Sequence, residues 1–263
     1  MNGGASGRSI VVHRDAPLLA RAVAARLVTG LVDAQAARGA ASLVLTGGGI
    51  GTGVLRELRA APARDAVDWR RVDLWWGDER YLPTGDPDRN ETQARDALLD
   101  ALDLDPARIH PLPPAPAAGL GDPEAAAASY AEELARAARP EDHGSVPSFD
   151  VLLLGIGPDG HVASLFPEAP AAYDARSVVA VRGAPKPPPI RLSLTLGALN
   201  AARAVWLLAS GPEKATAVHL ALAGAGSVQI PAAGVHGRSR TLWLLDRAAA
   251  ARLPAGMARS ASP

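Results

Sequence analysis

Short apolar runs alternate with amphipathic stretches along most of this 263-residue chain. The runs with the composition of buried strands cover residues 42–45, 72–76, 149–154, 177–181, 190–194, 204–209 and 241–245. Apolar residues at helical spacing predict helices at about residues 16–37, 52–59, 91–99, 122–138, 196–202 and 213–222. This alternation predicts an α/β fold with a mainly parallel, Rossmann-like sheet and helices on both faces. Ligands collect beyond the carboxyl ends of the strands in such sheets, so the segments after the strands are the candidate binding regions.

Length and composition favour one domain. With 48% apolar and 21% charged residues, the chain has the balance of an ordinary globular protein. Its 263 residues suit one large α/β domain better than two. We expect a flexible N-terminus over residues 1–9, a single α/β domain over residues 10–250 and a flexible C-terminus over residues 251–263.

Charge and targeting features exclude several classes of binding partner. Lys plus Arg and Asp plus Glu number 27 each, so no overall field exists to hold a nucleic-acid backbone or an anionic membrane. The absence of cysteine removes disulfides, thiolate metal sites and cysteine nucleophiles. No run approaches the ~20 apolar residues of a membrane span, and the chain does not begin with a signal-peptide pattern. We expect a cytoplasmic protein, a monomer or small homo-oligomer, that binds a small molecule.

The first candidate binding element is the glycine turn after the run at residues 42–45. Gly47, Gly48 and Gly49 join a predicted strand to a predicted helix, where backbone N–H groups can closely approach an anion. The turn matches neither a dinucleotide fingerprint nor a P-loop, because no lysine follows Gly53 and the glycine spacing differs from both. A phosphate site is the functional interpretation, and a tight strand-to-helix turn is the structural one.

A second glycine-rich turn, residues 155–160, places Asp159 and His161 at a strand end. It fits the G-x-G-x-x-G pattern of dinucleotide sites, but Pro167 and Pro170 leave no room for the long helix which that motif needs. Histidine has a reference pKa of ~6.5 and can accept a proton near neutrality. His161 is therefore a candidate general base, oriented by the carboxylate of Asp159. The alternative is that Asp159 caps a helix and His161 lies in its first turn.

Three cations also lie at or after predicted strands. Arg80 follows the run at residues 72–76, Arg191 belongs to the run at residues 190–194, and Lys214 comes after a later strand. Each can bind phosphate oxygens, and a solvated surface position is the alternative for each. No histidines and carboxylates have metal-ligand spacing, so we predict no metal site.

Five motifs carry a family resemblance when they are taken together. They are Thr46-Gly47-Gly48-Gly49, Trp76-Gly77-Asp78-Glu79-Arg80 with Asn90, the segment from Gly155 to Pro167, Arg191-Leu192-Ser193-Leu194-Thr195 and Gly211-Pro212-Glu213-Lys214. In order and spacing they closely resemble the glucosamine-6-phosphate isomerase/6-phosphogluconolactonase family, and its lactonases in particular. The resemblance covers about residues 10–249. It departs at Gly49 and Ile50, which stand where the family's turn is often rich in Ser or Thr.

The resemblance implies a hydrolase that opens 6-phospho-D-glucono-1,5-lactone to 6-phosphogluconate in the oxidative pentose phosphate pathway, without a cofactor. It implies that His161 is the base that activates water and that the glycine turn, Arg80 and Lys214 hold the phosphate. Asp159 and Arg191 lie in matching motifs with less defined roles. For the oxyanion of the reaction we expect backbone N–H donors near residues 155–157.

Two other functions fit the same resemblance. A sugar-phosphate deaminase or isomerase of this fold needs a further acid–base residue. In this chain Ser164-Leu165-Phe166-Pro167 follows the histidine, as in the lactonases, where deaminases characteristically have an Asn-Glu-Pro segment. A non-catalytic sugar-phosphate sensor would keep the fold as a binding module. The presence of both Asp159 and His161 favours the enzyme over the sensor.

Overall fold

A computed structural model describes residues 7–117, 121–142, 144–257 and 259–260. The main sheet in this part of the chain has eight strands: β1 (Gly7–His13), β2 (Ala41–Leu45), β3 (Val72–Trp76), β5 (Ile109–His110), β6 (Val151–Gly155), β9 (Ala204–Ala209), β10 (Arg240–Asp246) and β11 (Arg259–Ser260). They lie in the order β11-β1-β10-β9-β6-β2-β3-β5, and every neighbouring pair is parallel. The prediction of an α/β fold with a mainly parallel sheet is confirmed.

A smaller sheet holds the three remaining strands of the described residues: β4 (Asp78–Arg80), β7 (Val178–Val181) and β8 (Arg191–Leu194). Its order is β4-β8-β7, and both pairs are antiparallel. The sequence predicts β7 and β8 as strands but does not separate them from the parallel sheet. Their connection, residues 182–190, is too short for the crossover of a dozen or more residues that parallel neighbours require.

Six α-helices of the described chain accompany the sheets: α1 (Ala16–Arg38), α2 (Gly48–Ala60), α3 (Asn90–Ala97), α4 (Pro123–Ala137), α5 (Leu196–Leu199) and α6 (Ala215–Leu222). All six match predicted helices, with ends that differ by a few residues. The largest change at an N-terminus is in α2, which begins at Gly48 rather than at Thr52. The glycine turn is therefore the first turn of the helix, where backbone N–H groups have no partner within the helix.

The longest helix, α1, shows how the sequence sets the limits of an element. Asp15 caps its N-terminus by accepting a hydrogen bond of 2.9 Å from the backbone N–H of Leu18, and Pro17 lies in the first turn. Gly39 ends the helix in the left-handed conformation, with φ at 78°. Burial stabilises the fold by roughly 1.5–3 kcal/mol for each large apolar side chain, and the buried stripe of α1 includes Leu19, Val23, Leu27 and Leu31.

The direction in which the chain adds strands reverses between β2 and β6. From β2 it adds β3 and then β5 on one side, and from β6 it adds β9 and then β10 on the other. The connections after β2 and β6 diverge, which opens a crevice at the carboxyl ends of the strands. Thr46 and Gly155 meet at its base, where the N–H of Gly155 donates to the Thr46 hydroxyl at 3.2 Å.

The boundaries predicted for the two chain termini need two changes. Residues 7–9, expected in a flexible N-terminus, lie in β1, which pairs with β10 along its whole length. The sequence did not predict this strand, because its first two residues, Gly7 and Arg8, are not apolar. Both residues are exposed in the structure. Residues 259–260, expected in a flexible C-terminus, form β11 beside β1. Residues 1–6 and 261–263 lie outside the described residues.

The main apolar core extends from Ile10 to Ala249 and includes residues of both sheets. A second, smaller cluster consists of Phe166, Val179 and Val181. In the part of the chain described, no helix is both long and apolar enough to cross a membrane.

Candidate active site

A cavity of about 710 Å³ lies at the carboxyl ends of the strands, beside the reversal between β2 and β6. Segments that follow β2, β3, β6 and β9 form its walls together with the β7–β8 connection. Seven of the predicted site residues line it: Gly47, Gly48, Gly49, Arg80, His161, Arg191 and Lys214. The eighth, Asp159, is hydrogen-bonded to His161. The fold thus brings the whole predicted set to one place.

His161 lies on a tight turn directly after β6. The N–H of Gly157 donates to the carbonyl of His161 at 2.9 Å, and two isolated antiparallel bridges through Val162 hold the following segment. Residues 157–166 contain no helix, so the alternative in which Asp159 caps one is wrong.

Glycine at position 157 leaves space for the side chains that it faces. A Cβ atom there would overlap the imidazole of His161 and the carboxylate of Asp159. Gly160 has a φ of 86°, a conformation that side chains other than hydrogen disfavour. The glycine spacing that looks like a dinucleotide motif in the sequence instead forms a turn around a histidine and an aspartate.

The histidine and the aspartate form a hydrogen-bonded pair, with 2.5 Å between His161 Nδ1 and Asp159 Oδ1. Partial burial alone would raise the pKa of Asp159, but the hydrogen bond and charge of His161 outweigh it and lower the pKa to about 2. An ionised carboxylate can only accept a hydrogen bond, so Nδ1 carries the hydrogen. In the neutral form of the imidazole, this arrangement leaves the lone pair on Nε2, as a general base requires.

The backbone of residues 155–157 does not supply the expected oxyanion donors. The N–H of Gly155 donates to Thr46, that of Ile156 to Leu208 at 3.2 Å, and that of Gly157 to His161. That expectation is wrong, because the turn that presents His161 uses these donors for its own hydrogen bonds.

The glycine turn presents the N-terminus of α2 to the cavity. Gly47 occupies the N-cap position, where no side chain hydrogen-bonds to the first turn. The free N–H groups and the positive end of the helix dipole both favour an anion at this point. A Cβ atom at Gly47 would overlap the amide of Asn90, so glycine also permits close packing of α2 against α3.

A buried carboxylate, Glu79, fixes the opposite wall. It accepts hydrogen bonds from the backbone N–H groups of Arg80, Asn90 and Glu91 at 2.8, 2.7 and 2.9 Å. Burial raises the pKa of Glu79 to about 7, against the opposing effects of Arg89 and of these donors. Because these bonds join β4 to the start of α3, they set the positions of Arg80 and Asn90 at the cavity.

Two polar atoms in this wall are buried without a hydrogen-bond partner among the described residues. Arg80 donates through Nη1 to the carbonyl of Asp88, while its Nε has no acceptor. Asn90 donates through Nδ2 to the carbonyl of Asp78 at 2.9 Å, while its Oδ1 has no donor. Buried polar groups are seldom left unpaired in proteins. Both residues line the cavity, so among the residues described its wall includes one unpaired donor and one unpaired acceptor.

The other two predicted cations, Arg191 and Lys214, are held in different ways. Arg191 is buried, and its guanidinium donates to backbone carbonyls of the β7–β8 connection and lies 5.9 Å from the centre of the Phe166 ring. Lys214 stands just before α6, with Nζ 3.9 Å from Glu213. Partial burial lowers the pKa of Lys214, and Glu213 opposes the change.

The chain is similar to known proteins over most of its length. The sequence profile described as glucosamine-6-phosphate isomerases/6-phosphogluconolactonase matches residues 14–243. The chain belongs to this family. A 6-phosphogluconolactonase of Streptomyces coelicolor is 62% identical over 254 residues, which make up 96% of this chain and 97% of the relative. That of Mycobacterium tuberculosis is 50% identical over 247 residues, 94% and 98% of the two chains.

A solved 6-phosphogluconolactonase structure from Trypanosoma brucei has a TM-score of 0.80 and 27% identity, and the match covers 95% of this chain and 100% of that one. A monomeric glucosamine-6-phosphate deaminase, 24% identical with a TM-score of 0.73, shares the fold. The family resemblance read from the sequence is confirmed.

The cavity wall also contains residues that were not among the predicted site residues, including Asp78, Asn90 and Phe166. Asp78 accepts a hydrogen bond of 2.6 Å from the hydroxyl of Ser164, which ties the segment after His161 to the smaller sheet. The Phe166 ring lies 4.7 Å from the imidazole of His161. The sequence signal was their membership of the quoted motifs, which does not by itself separate cavity residues from supporting ones.

Proposed function

We propose that this protein hydrolyses 6-phospho-D-glucono-1,5-lactone to 6-phosphogluconate, with His161 as the general base, as a step of the oxidative pentose phosphate pathway. The observation that carries the proposal is one cavity that brings together the His161–Asp159 pair and the N-terminal turn of α2, which no side chain of the described residues caps. The first provides a base for water and the second a site for phosphate. Hydrolysis of a lactone whose phosphate is far from its carbonyl requires both the base and the phosphate site.

The reaction follows from the tautomer of His161. Nε2 takes a proton from water as the hydroxide attacks the lactone carbonyl, and a tetrahedral oxyanion forms. As this collapses, the bond between C1 and the ring oxygen breaks, and the imidazolium returns its proton to the leaving oxygen. Asp159 stabilises the transient imidazolium. The N–H groups of residues 155–157 are already bonded, so they do not supply donors to this oxyanion.

The phosphate is far from the bond that breaks, so its role is to position the carbonyl. Arg80 and Lys214 approach the cavity from the ends of different strands, and the first turn of α2 supplies backbone donors. Binding energy from such a remote group orients the reacting carbon against the base. The reaction consumes only water and transfers no electrons, so it requires no cofactor.

The side chain that packs against His161 distinguishes lactone hydrolysis from the deaminase alternative. At this position is Phe166, whose aromatic ring can neither donate nor accept a proton. A ring-opening deaminase needs a further acid–base group there. We propose that the protein works in the cytoplasm, as a monomer or small homo-oligomer, without nucleic-acid or membrane partners.

The direct test is lactone hydrolysis at controlled pH, with the spontaneous rate subtracted at every point. We expect turnover of 6-phosphogluconolactone well above background, no ammonia from glucosamine 6-phosphate, and full activity after exhaustive EDTA treatment. The described residues contain no group of three or more His, Asp or Glu side chains placed to hold a metal ion. Binding of 6-phosphogluconate without any turnover would favour the sensor. Loss with EDTA and recovery with a divalent ion would contradict the histidine-base mechanism.

The phosphate site predicts a specific loss in two variants. Arg80→Ala or Lys214→Ala should each lower kcat/KM by about 10- to 150-fold, which corresponds to the ~1.5–3 kcal/mol of a charged hydrogen bond. Inorganic phosphate should inhibit the wild type competitively. The matched control is Arg70→Ala, an exposed arginine paired with Asp103, which should leave kcat/KM unchanged. Wild-type kcat/KM in both cavity variants would place the phosphate elsewhere.

A further inference from the structure

The cavity contains a second lysine that the sequence did not single out. Of the 27 basic residues in the chain, 25 are arginine and two are lysine, Lys186 and Lys214. Five basic residues line the cavity, and both lysines are among them. A chain that uses arginine almost everywhere else thus has its two lysines at one site. Lysine carries a compact ammonium on a flexible stem, which approaches a small anion differently from the planar guanidinium of arginine.

Lys186 is held at the cavity by its backbone. It lies in the β7–β8 connection, and Arg191 Nη2 donates to the carbonyls of Lys186 and Pro187 at 3.0 and 3.3 Å. Arg191 Nε donates to the carbonyl of Pro188 at 3.3 Å. A buried guanidinium therefore fixes three consecutive peptide groups, and consecutive prolines restrict the same segment further. The exposed side chain of Lys186 extends from a restrained turn.

Lys186 and Lys214 line the same cavity. No described carboxylate lies within 4 Å of the Lys186 ammonium, whereas Lys214 has Glu213 at 3.9 Å. After partial burial and the opposing charge of Glu213, the charge of Lys186 further lowers the pKa of Lys214. Two ammonium groups in one cavity repel one another. An anion between them stabilises both charged forms, so the pair favours the binding of an anion.

We propose that Lys186 is a second phosphate-binding lysine, whose ammonium and that of Lys214 hold the phosphate dianion of the substrate from two sides. Arg191 is then a positioning residue, which places Lys186 through the carbonyls of its turn. The inference rests on the proposed function, because that function identifies the substrate that carries the phosphate. It adds a binding residue from the β7–β8 connection to the phosphate site formed by Arg80, Lys214 and the first turn of α2.

The kinetic test compares Lys186→Met with Arg182→Ala. The first removes the charge and keeps most of the stem, and it should raise KM for the lactone about 10-fold while kcat stays within about 2-fold. The second removes a charge from the same connection, but Arg182 is exposed, paired with Glu124 at 2.6 Å and not part of the cavity wall. It should leave both constants unchanged. Wild-type KM in Lys186→Met would overturn the proposal.

A binding test separates this proposal from the proposed function, because it needs no turnover. Reductive methylation with ¹³C-formaldehyde keeps the charge of each amine, and this chain should give only two lysine signals besides that of its N-terminal amine. Lys186→Met and Lys214→Met assign them. Inorganic phosphate and 6-phosphogluconate should each shift both lysine signals with one shared Kd, and gluconate should shift neither.

Each departure from that result has a definite meaning. If only the Lys214 signal responds to inorganic phosphate, the proposal for Lys186 is wrong while the proposed function stands. If gluconate shifts Lys186 and inorganic phosphate does not, Lys186 recognises the carboxylate end, which also overturns the proposal. If both signals respond to phosphate but the wild type has no lactonase activity, the two-lysine site is supported and the proposed reaction fails.

Discussion

Replacement of His161 by alanine should lower kcat at least ~100-fold, the low end of the contribution of general-base catalysis. The imidazole alone combines a hydrogen-bonded orienting carboxylate with a nitrogen that faces the cavity. The phosphate site does not involve His161, so inhibition by 6-phosphogluconate should keep its wild-type strength. The measurement is initial rate at controlled pH, corrected for spontaneous ring opening, together with the inhibition constant of the product.

The matched control for this variant is His236→Ala, because His236 is exposed and does not line the cavity. Its kcat should equal that of the wild type. Thermal melts of both variants check that the fold survives. An unchanged rate in His161→Ala, with product inhibition intact, would remove His161 from the chemistry and leave the cavity as a binding site only.

The parallel sheet was predictable because its signals are local. The runs at residues 72–76 and 204–209 are bounded as β3 and β9 are in the structure, since continuous apolar sequence reports burial on both faces directly. The start of α1 was equally clear, because Asp15 and Pro17 provide the cap and the first turn. The partition of β7 and β8 into a second sheet was not predictable from the runs alone. It depends on pairing partners, which a single strand's composition does not encode.

The residues of the site also fall into those that local sequence predicts and those that depend on the fold. His161, Asp159 and the glycine turn were found because glycine spacing marks a special backbone, and the structure places them at one cavity. The part played by Glu79 was missed, since two of its three backbone hydrogen bonds are to Asn90 and Glu91, eleven and twelve residues further along the chain. The expected oxyanion donors were wrong for a related reason: the sequence shows that N–H groups are present, and only the folded turn shows that they are already used.

The position of the cavity explains how one fold combines these parts. The reversal of strand addition between β2 and β6 separates the connection that holds the glycine turn from the one that holds His161. Phosphate and lactone carbonyl lie several bonds apart in the substrate, so a binding site and a base on neighbouring but diverging connections suit its length. The smaller sheet then closes the cavity with Arg80 from β4 and Arg191 from β8.

Substitution of Asp159 by asparagine should lower kcat by about 10²- to 10⁴-fold with little effect on product binding. In a serine protease, the corresponding loss of an orienting carboxylate costs about 10⁴. The carboxylate of Asp159, ionised with a pKa of about 2, accepts a hydrogen bond from Nδ1 and leaves Nε2 free to take a proton. An asparagine amide that turns its NH₂ group toward Nδ1 would favour the opposite tautomer, in which Nε2 already carries a hydrogen. It would also remove the negative charge that stabilises the imidazolium during catalysis.

The same variant has a stability signature whose sign is fixed by the pKa. Because the folded protein holds the pKa of Asp159 below its usual value of 3.8, the ionised carboxylate contributes stability above about pH 4, and this contribution is lost as the pH falls toward 2. Asp159→Asn should therefore melt below the wild type at pH 5, and the difference should shrink between pH 4 and pH 2. The control is Asp103→Asn, an exposed aspartate outside the cavity wall, which should keep wild-type kcat. A variant at position 159 with wild-type kcat would show that the carboxylate does not set the tautomer of His161, even if the melting curves behave as expected.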